Sequence, residues 1–135
     1  MLTDTEVNNA YEFVTESLGR SAKLETFKKR IRPAHQRLRT SARNGKTITY
    51  SDLADAADTD NRRYLSKILD GIGYIEEERG NPPITVLVVH ANDGKPADDF
   101  LKLLDSLEIQ HRYDSDTDDR LIEEVMQEVR SYNWT

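Results

Sequence analysis

Cysteine is absent from the 135 residues, which removes disulfides, thiol nucleophiles and thiolate zinc sites together. A chain of this length buries about two-thirds of its unfolded surface, so it can fold without a covalent staple or a metal. Its size fits one domain spanning residues 1–135. Long apolar runs are also missing. The longest, Val86 to Val89, is far too short to cross a bilayer. Met1 to Glu6 lack the basic-then-apolar pattern of a secretory leader. These absences predict a cytoplasmic protein with no membrane partner. There is no Gly-rich phosphate loop, no nucleophile elbow, no internal repeat and no low-complexity tract. The histidines His35, His90 and His111 stand apart, without metal-ligand spacing. Asp93 and Lys95 have the Asp-x-Lys spacing of some nucleases, but no acidic partner precedes them on a hairpin, and Asn92-Asp93-Gly94 is accounted for as a turn. The expectation is a protein that is not an enzyme, with no catalytic residue, no metal and no cofactor.

Positive charge is scarce on average, since the formal net charge is −6. It is also segregated. Residues 20–46 hold ten Lys/Arg against one acid, Glu25, a local net of +9. Residues 91–135 hold five Lys/Arg against twelve acids, a local net of −7. A basic block inside an acidic chain is either a surface for a polyanion or a solvated helix face balanced by acidic neighbours.

Periodicity gives the elements. Thr3 and Glu6 form a capping box before Val7, Ala10, Tyr11, Val14 and Leu18, with Gly19 as the stop and Phe13 off the stripe. A second helical pattern from Ser21 carries Leu24, Phe27, Ile31, Ala34 and Leu38 on one face. Lys28, Arg32, His35, Arg39 and Arg43 lie on the adjacent face. Pro33 predicts a break near Arg32, and Asn44-Gly45 the end. Thr47 to Tyr50 alternates like a short strand. Ser51 is placed to cap a helix to about Ala57, with Asp52 at its positive end. Asp58-Thr59-Asp60 turns the chain into a helix from Asn61 to Leu69, interrupted by Gly71 and Gly73. Ile84 to His90 reads as a buried strand, Asp98 to Leu107 as a helix and Ile109 to Tyr113 as a short strand. Asp114 to Asp119 forms an acidic loop, and Thr117 or Asp118 caps a last amphipathic helix. Tyr132 and Trp134 either dock onto the chain's own core or anchor a second subunit.

Strand, short helix, tight turn, second helix and a strand-containing wing is the order of a winged helix-turn-helix. The fold class expected is therefore mainly α with a small β-wing (α+β). Helical extensions precede it in residues 1–46 and follow it in residues 95–135, around a core at 47–94. The second helix of such a pair fits the major groove. Here it presents Arg62, Arg63 and Lys67, with Asn61 and Ser66 able to hydrogen-bond bases or phosphates. Asp58 and Asp60 just before it would repel phosphate. Lys28, Arg32, Arg39 and Arg43 form a candidate phosphate-tracking stripe.

Thr49-Tyr50-Ser51-Asp52-Leu53-Ala54, then Arg63-Tyr64-Leu65-Ser66, then Asn81-Pro82-Pro83 and an apolar strand ending in Asn92-Asp93-Gly94, together resemble the DNA-binding domain of the DNA alkyltransferases and alkyltransferase-like proteins. The match covers roughly residues 47–94, with a one-residue gap. The same stretch is similar to winged-helix modules of prokaryotic restriction and DNA-modification systems. The resemblance implies that Tyr50 lies against a DNA phosphate and that Arg63 enters the base stack where a base is flipped, a distortion of a few kcal/mol that needs such a wedge. The reactive cysteine of that family would fall near Val88, so alkyl transfer is excluded. The family's glycine at the position of Ser66 is absent as well. The expected partner is double-stranded DNA, in regulation or defence. A homodimer, an acidic C-terminal half that meets a basic protein or mimics DNA, and a non-catalytic place in a nuclease complex are the alternatives.

Overall fold

The computed structural model describes residues 1–59, 61–113 and 115–135. Asp60 and Asp114 lie outside the described residues, and with them the expected phosphate repulsion by Asp60 and the first residue of the acidic loop. Among the described residues the chain is mainly helical, with one small two-stranded sheet. No helix among them is long and apolar enough to cross a membrane.

Helix α1 (Asp4–Glu12) begins at the expected capping box, where Thr3 Oγ1 accepts from the Glu6 amide and Glu6 Oε1 accepts from the Thr3 amide. It widens into a π-turn, Phe13–Ser17, and Gly19 leaves it at φ +65°. Phe13, off the apolar stripe, stacks on Tyr74 at 4.6 Å. Helix α2 (Leu24–Arg43) corrects one expectation: Pro33 does not break it. Phe27 and Ile31 before the proline, and Ala34 and Leu38 after it, are fully buried on one face. Packing along the whole length thus offsets the roughly 3 kcal/mol a mid-helix proline costs. Asn44 and Gly45, the latter at φ +65°, end it as expected.

Strand β1 (Ile48–Thr49) is shorter than expected, and helix α3 (Tyr50–Ala56) starts earlier, capped by Thr49 and not by Ser51. Helix α4 (Arg62–Glu78), capped by Asn61, runs through Gly71 and Gly73 without interruption. The glycines serve close packing. A Cβ on Gly71 would lie 2.8 Å from Phe27 Cζ, and one on Gly73 would lie 2.5 Å from Leu103 Cδ2. The cost of about 1 kcal/mol per helical glycine is thereby exchanged for contact with α2 and with the helix that follows.

Ile84 to His90 is buried as expected, but not as one strand. Ile84–Leu87 form a 3-10 turn, and only Val88–Val89 form strand β2. β2 pairs in parallel with β1, Ile48 beside Val88 and Thr49 beside Val89. No antiparallel hairpin forms among the described residues, so the chain past α4 does not take the strand-pair form expected of a wing. Helix α5 (Asp98–Ser106) falls where its pattern placed it, whereas the expected strand at Ile109 to Tyr113 contains a 3-10 turn, Gln110–Arg112. Helix α6 (Asp118–Ser131), capped by Thr117, packs on the 3-10 segment Ile84–Leu87. Trp134 docks onto the chain's own core, 2 % exposed, with its Nε1 donating to the Val129 carbonyl and the Arg39 guanidinium over its ring.

Helix α4 packs against α1, α2, α3 and α5, and its far end carries a fully buried carboxylate. Glu76 accepts from Arg39 Nη1 at 3.1 Å, from His35 Nε2 and Arg79 Nη1 at 3.3 Å, and from Asn81 Nδ2 at 3.4 Å. Burial raises its pKa, but the His35 hydrogen bond and the charges of His35, Arg39 and Arg79 outweigh burial and hold the carboxyl below its ordinary value. Arg79 also grips Glu6, whose carboxyl is held down at about 2 chiefly by that hydrogen bond. Carboxyls depressed in this way stabilise the fold above their unfolded pKa and lose that contribution as pH falls through the folded one. Glu76→Gln is expected to cost about 3 kcal/mol at neutral pH, because it leaves the half-buried Arg39 and Arg79 short of an anionic partner. Urea denaturation should show the deficit shrinking as pH falls below the ordinary glutamate value of 4.5.

Candidate functional site at the start of α4

Asn61, Arg62 and Arg63 are exposed where α4 begins, because Asn61 Oδ1 is committed to the amides of Arg63 and Tyr64 and the next buried residue is Leu65. Beside them opens a cavity of about 420 Å³. Four of the residues singled out in the sequence, Tyr50, Arg62, Arg63 and Ser66, line it together. Its sides are apolar, from Leu69, Phe100 and Leu103.

Tyr50 is half-buried at the first position of α3. Its hydroxyl accepts from the Ala97 amide at 2.8 Å, and burial, ahead of the opposing Ala97 hydrogen bond and Arg62 charge, pushes its pKa up. The Arg62 guanidinium lies 4.8 Å over the Tyr50 ring and meets His90 Nδ1 at 3.0 Å, while the His90 ring lies 4.9 Å from that of Tyr50. A cation, a phenol and an imidazole thus form one edge of the opening. The Arg63 guanidinium makes no hydrogen bond or ion pair among the described residues.

The floor was not foreseen. Arg20, from the segment after the π-turn, reaches under α4: its Nη1 donates to Ser66 Oγ at 2.9 Å and to Asp70 Oδ2 at 2.7 Å, and its Nη2 to the Arg63 carbonyl at 3.3 Å. Ser66 Oγ in turn donates to Asp99 Oδ2 at 2.9 Å. Asp70 is 7 % exposed, and burial raises its carboxyl to about 6 against the pull of Arg20. Thr85, 4 % exposed, also lines the cavity, and its hydroxyl has no partner among the described residues. One signal for this floor was present in the sequence. Asp70 follows Ser66 by four and Arg63 by seven, which puts an acid on the same side of α4 as those two. The partnership with Arg20 crosses fifty residues and leaves no local trace.

Other residues named from the sequence lie elsewhere. Lys67 turns to the Ser21 carbonyl and the face of Tyr64. The expected stripe on α2 is largely engaged internally, which corrects its reading as a continuous phosphate surface. Arg32 bonds to the Leu2 carbonyl and to Asp4, Arg39 to Glu76, and Arg43 Nε to the Trp134 carbonyl at 3.1 Å. His35 is buried against Glu76. Lys28 remains on α2, half-exposed. Asn92 to Gly94 form the expected turn, with Asp93 Oδ1 accepting from the Lys95 amide. Compared with protein-family models, with curated proteins and with solved structures, the chain matches none.

The raised carboxyl of Asp70 has a sign that can be measured. Between its ordinary value of 3.8 and about 6 the folded form holds a proton the unfolded form has released, so this site lowers stability as pH rises through that window. Asp70→Asn removes the titration. Thermal melts should show the variant gaining on the wild type by about 1–3 kcal/mol between roughly pH 4 and pH 7.

Proposed function

We propose that this chain is a non-catalytic DNA-binding protein of the winged helix-turn-helix type, which sets the start of α4 against duplex DNA and receives an unstacked nucleotide in the cavity beside it. One observation carries the reading. Tyr50, Arg62, Arg63 and Ser66, picked out from sequence as DNA contacts, line a single cavity at the exposed end of one helix. The order α2, β1, α3, α4, β2 supports it, being that of a helix-turn-helix framed by strands. So does the resemblance to the alkyltransferase DNA-binding domain, which gives Tyr50 a phosphate and Arg63 the vacated place in the stack. A cavity of about 420 Å³ is in the range of small-ligand sites and has room for one base. Without a cysteine the alkyl transfer of that family is excluded, and binding alone fits regulation or defence.

The phosphate-facing charge is Arg62 and Arg63 at the opening, with Lys67 and Lys28 farther along α4 and α2. Arg32, Arg39 and Arg43 are left to the fold. A second reading, docking of a basic partner, is favoured by the exposed acids of α6, Asp118, Asp119, Glu123, Glu124 and Glu128.

Fluorescence anisotropy on a duplex is expected to show affinity falling steeply as salt rises, the mark of phosphate contacts. Arg63→Ala should weaken binding by about 1–3 kcal/mol and abolish the fluorescence rise of a 2-aminopurine placed in the duplex. Absence of binding at low salt, together with capture of a polycationic peptide, would transfer the function to the α6 face.

A further inference from the structure

The cavity beside α4 has a polarity that says which bases it can hold. Its mouth carries cations, Arg62 and Arg63. Its walls are apolar and aromatic, from Tyr50, Leu69, Phe100 and Leu103. Its buried lining carries one carboxylate and one orphaned hydroxyl. Asp70 Oδ2 takes a hydrogen bond from Arg20, and among the described residues no donor reaches Oδ1. Asp99, exposed at the rim, adds a second carboxylate, engaged on one oxygen by Ser66. Thr85 Oγ1 is buried without a partner among the described residues.

A carboxylate oxygen open to the cavity is free to accept from a donor that enters it, and a buried hydroxyl with nothing to bond costs free energy until a partner arrives. The group that meets both is flat enough for the apolar walls, bears N–H donors on its inner edge and carries its negative charge outward. A nucleotide whose base has an exocyclic amino group meets all three conditions. Thymine does not, because its edge offers one N–H between two carbonyl oxygens, and those oxygens would face carboxylates.

Resting on the reading of the cavity as a nucleotide receptor, we infer that it selects amino-bearing bases (adenine, cytosine and guanine) against thymine, with Asp70 as the specificity-determining acceptor and Thr85 as a second hydrogen-bonding group of the same lining. Arg20 is the positioning residue. It clamps Oδ2 and thereby presents Oδ1 to the cavity, while tying the segment after α1 to the Arg63 carbonyl.

The test uses the full chain and four duplexes that differ at one central position. Each places A, C, G or T opposite an abasic site, so that none of the four has to be unpaired before it can leave the stack. A fully paired duplex is the reference. Affinity is read by anisotropy at one fixed salt concentration. The wild type is expected to bind the A, C and G duplexes about tenfold or more tighter than the T duplex, the size of one hydrogen bond to a charged group. Asp70→Asn should close most of that gap, since a carboxamide can donate to a thymine carbonyl as well as accept. Thr85→Val keeps the shape and removes the hydroxyl. It should weaken binding to the A, C and G duplexes more than to the T duplex, and so narrow the gap between them.

Tighter binding to all four unpaired bases than to the paired duplex, with no difference among them, overturns the selectivity and leaves the receptor reading standing. So does a preference that survives Asp70→Asn. Equal binding of paired and unpaired duplexes, or no binding at all, overturns the receptor reading and this inference with it. Were Asp70→Asn not to fold, the wild-type series and Thr85→Val would still decide.

Discussion

Helix α4 carries two carboxylates, Asp70 and Glu76, into an interior that penalises charge, and the way each is compensated organises the protein. Glu76, at the far end, is surrounded: Arg39 and His35 come from α2, Arg79 from the helix's own end, and Asn81 from the loop beyond. Through these partners it fastens α1, by way of the Arg79–Glu6 pair, and the C-terminal Trp134, by way of the Arg39 stack. Taking the carboxylate out of water is costly, so the cluster holds only while all its members are in place. Asp70, two turns earlier, has one cationic partner, Arg20, and a cavity on its other side. The same helix thus has a fully answered charge at its structural end and an incompletely answered one at its open end. It is on the second of these that the proposed function draws.

That contrast explains how the basic block is spent. Ten Lys/Arg in residues 20–46 read from sequence as one positive surface. In the fold, Arg32 and Arg39 answer acids, Arg43 answers a terminal carbonyl, and His35 goes into the core. Arg30 and Lys67 flank the Tyr64 ring, which brings α2 and α4 charge together at a position other than the expected stripe. Arg20 alone crosses to the cavity. A local charge count measures how many cations are available; it cannot say which will be drawn in by distant carboxylates.

Legibility followed the range of the physics. Elements set by neighbours three or four residues away were readable: the Thr3–Glu6 capping box, the Thr117 cap, the Asn44-Gly45 stop, the stripes of α5 and α6. Errors came where tertiary packing overrode a local preference. Pro33 is tolerated because apolar residues on both sides of it stay in phase on a buried face. Gly71 and Gly73 read as breakers and instead admit Phe27 and Leu103. The β-branched run at Ile84 to Val89 read as a strand, yet most of it is a 3-10 turn, since a short apolar run under α6 can be buried without strand partners. At the site, the cationic rim was legible because exposed residues at a helix start need no partners to be recognised. The floor was not, because it joins residues 20, 70 and 85 across the chain.

Negative net charge is compatible with a polyanion as partner once the distribution around the cavity is considered. The guanidiniums of Arg62 and Arg63 stand at the start of α4, while Asp98, Asp99, Asp118 and Asp119, with Asp93, border the adjoining hollow beyond His90. Positive and negative edges therefore meet along one line, through His90 and Asp99, which border both. A duplex approaching such a boundary is attracted on one side and repelled on the other, so the acids restrict how it can dock more than they weaken it. On the proposed reading the acidic edge keeps the phosphate backbone off α5 and α6 and turns the cavity mouth towards the strand that supplies the base. The −7 of the C-terminal third then does work that the +9 of the basic block, half of it consumed inside the fold, could not do alone.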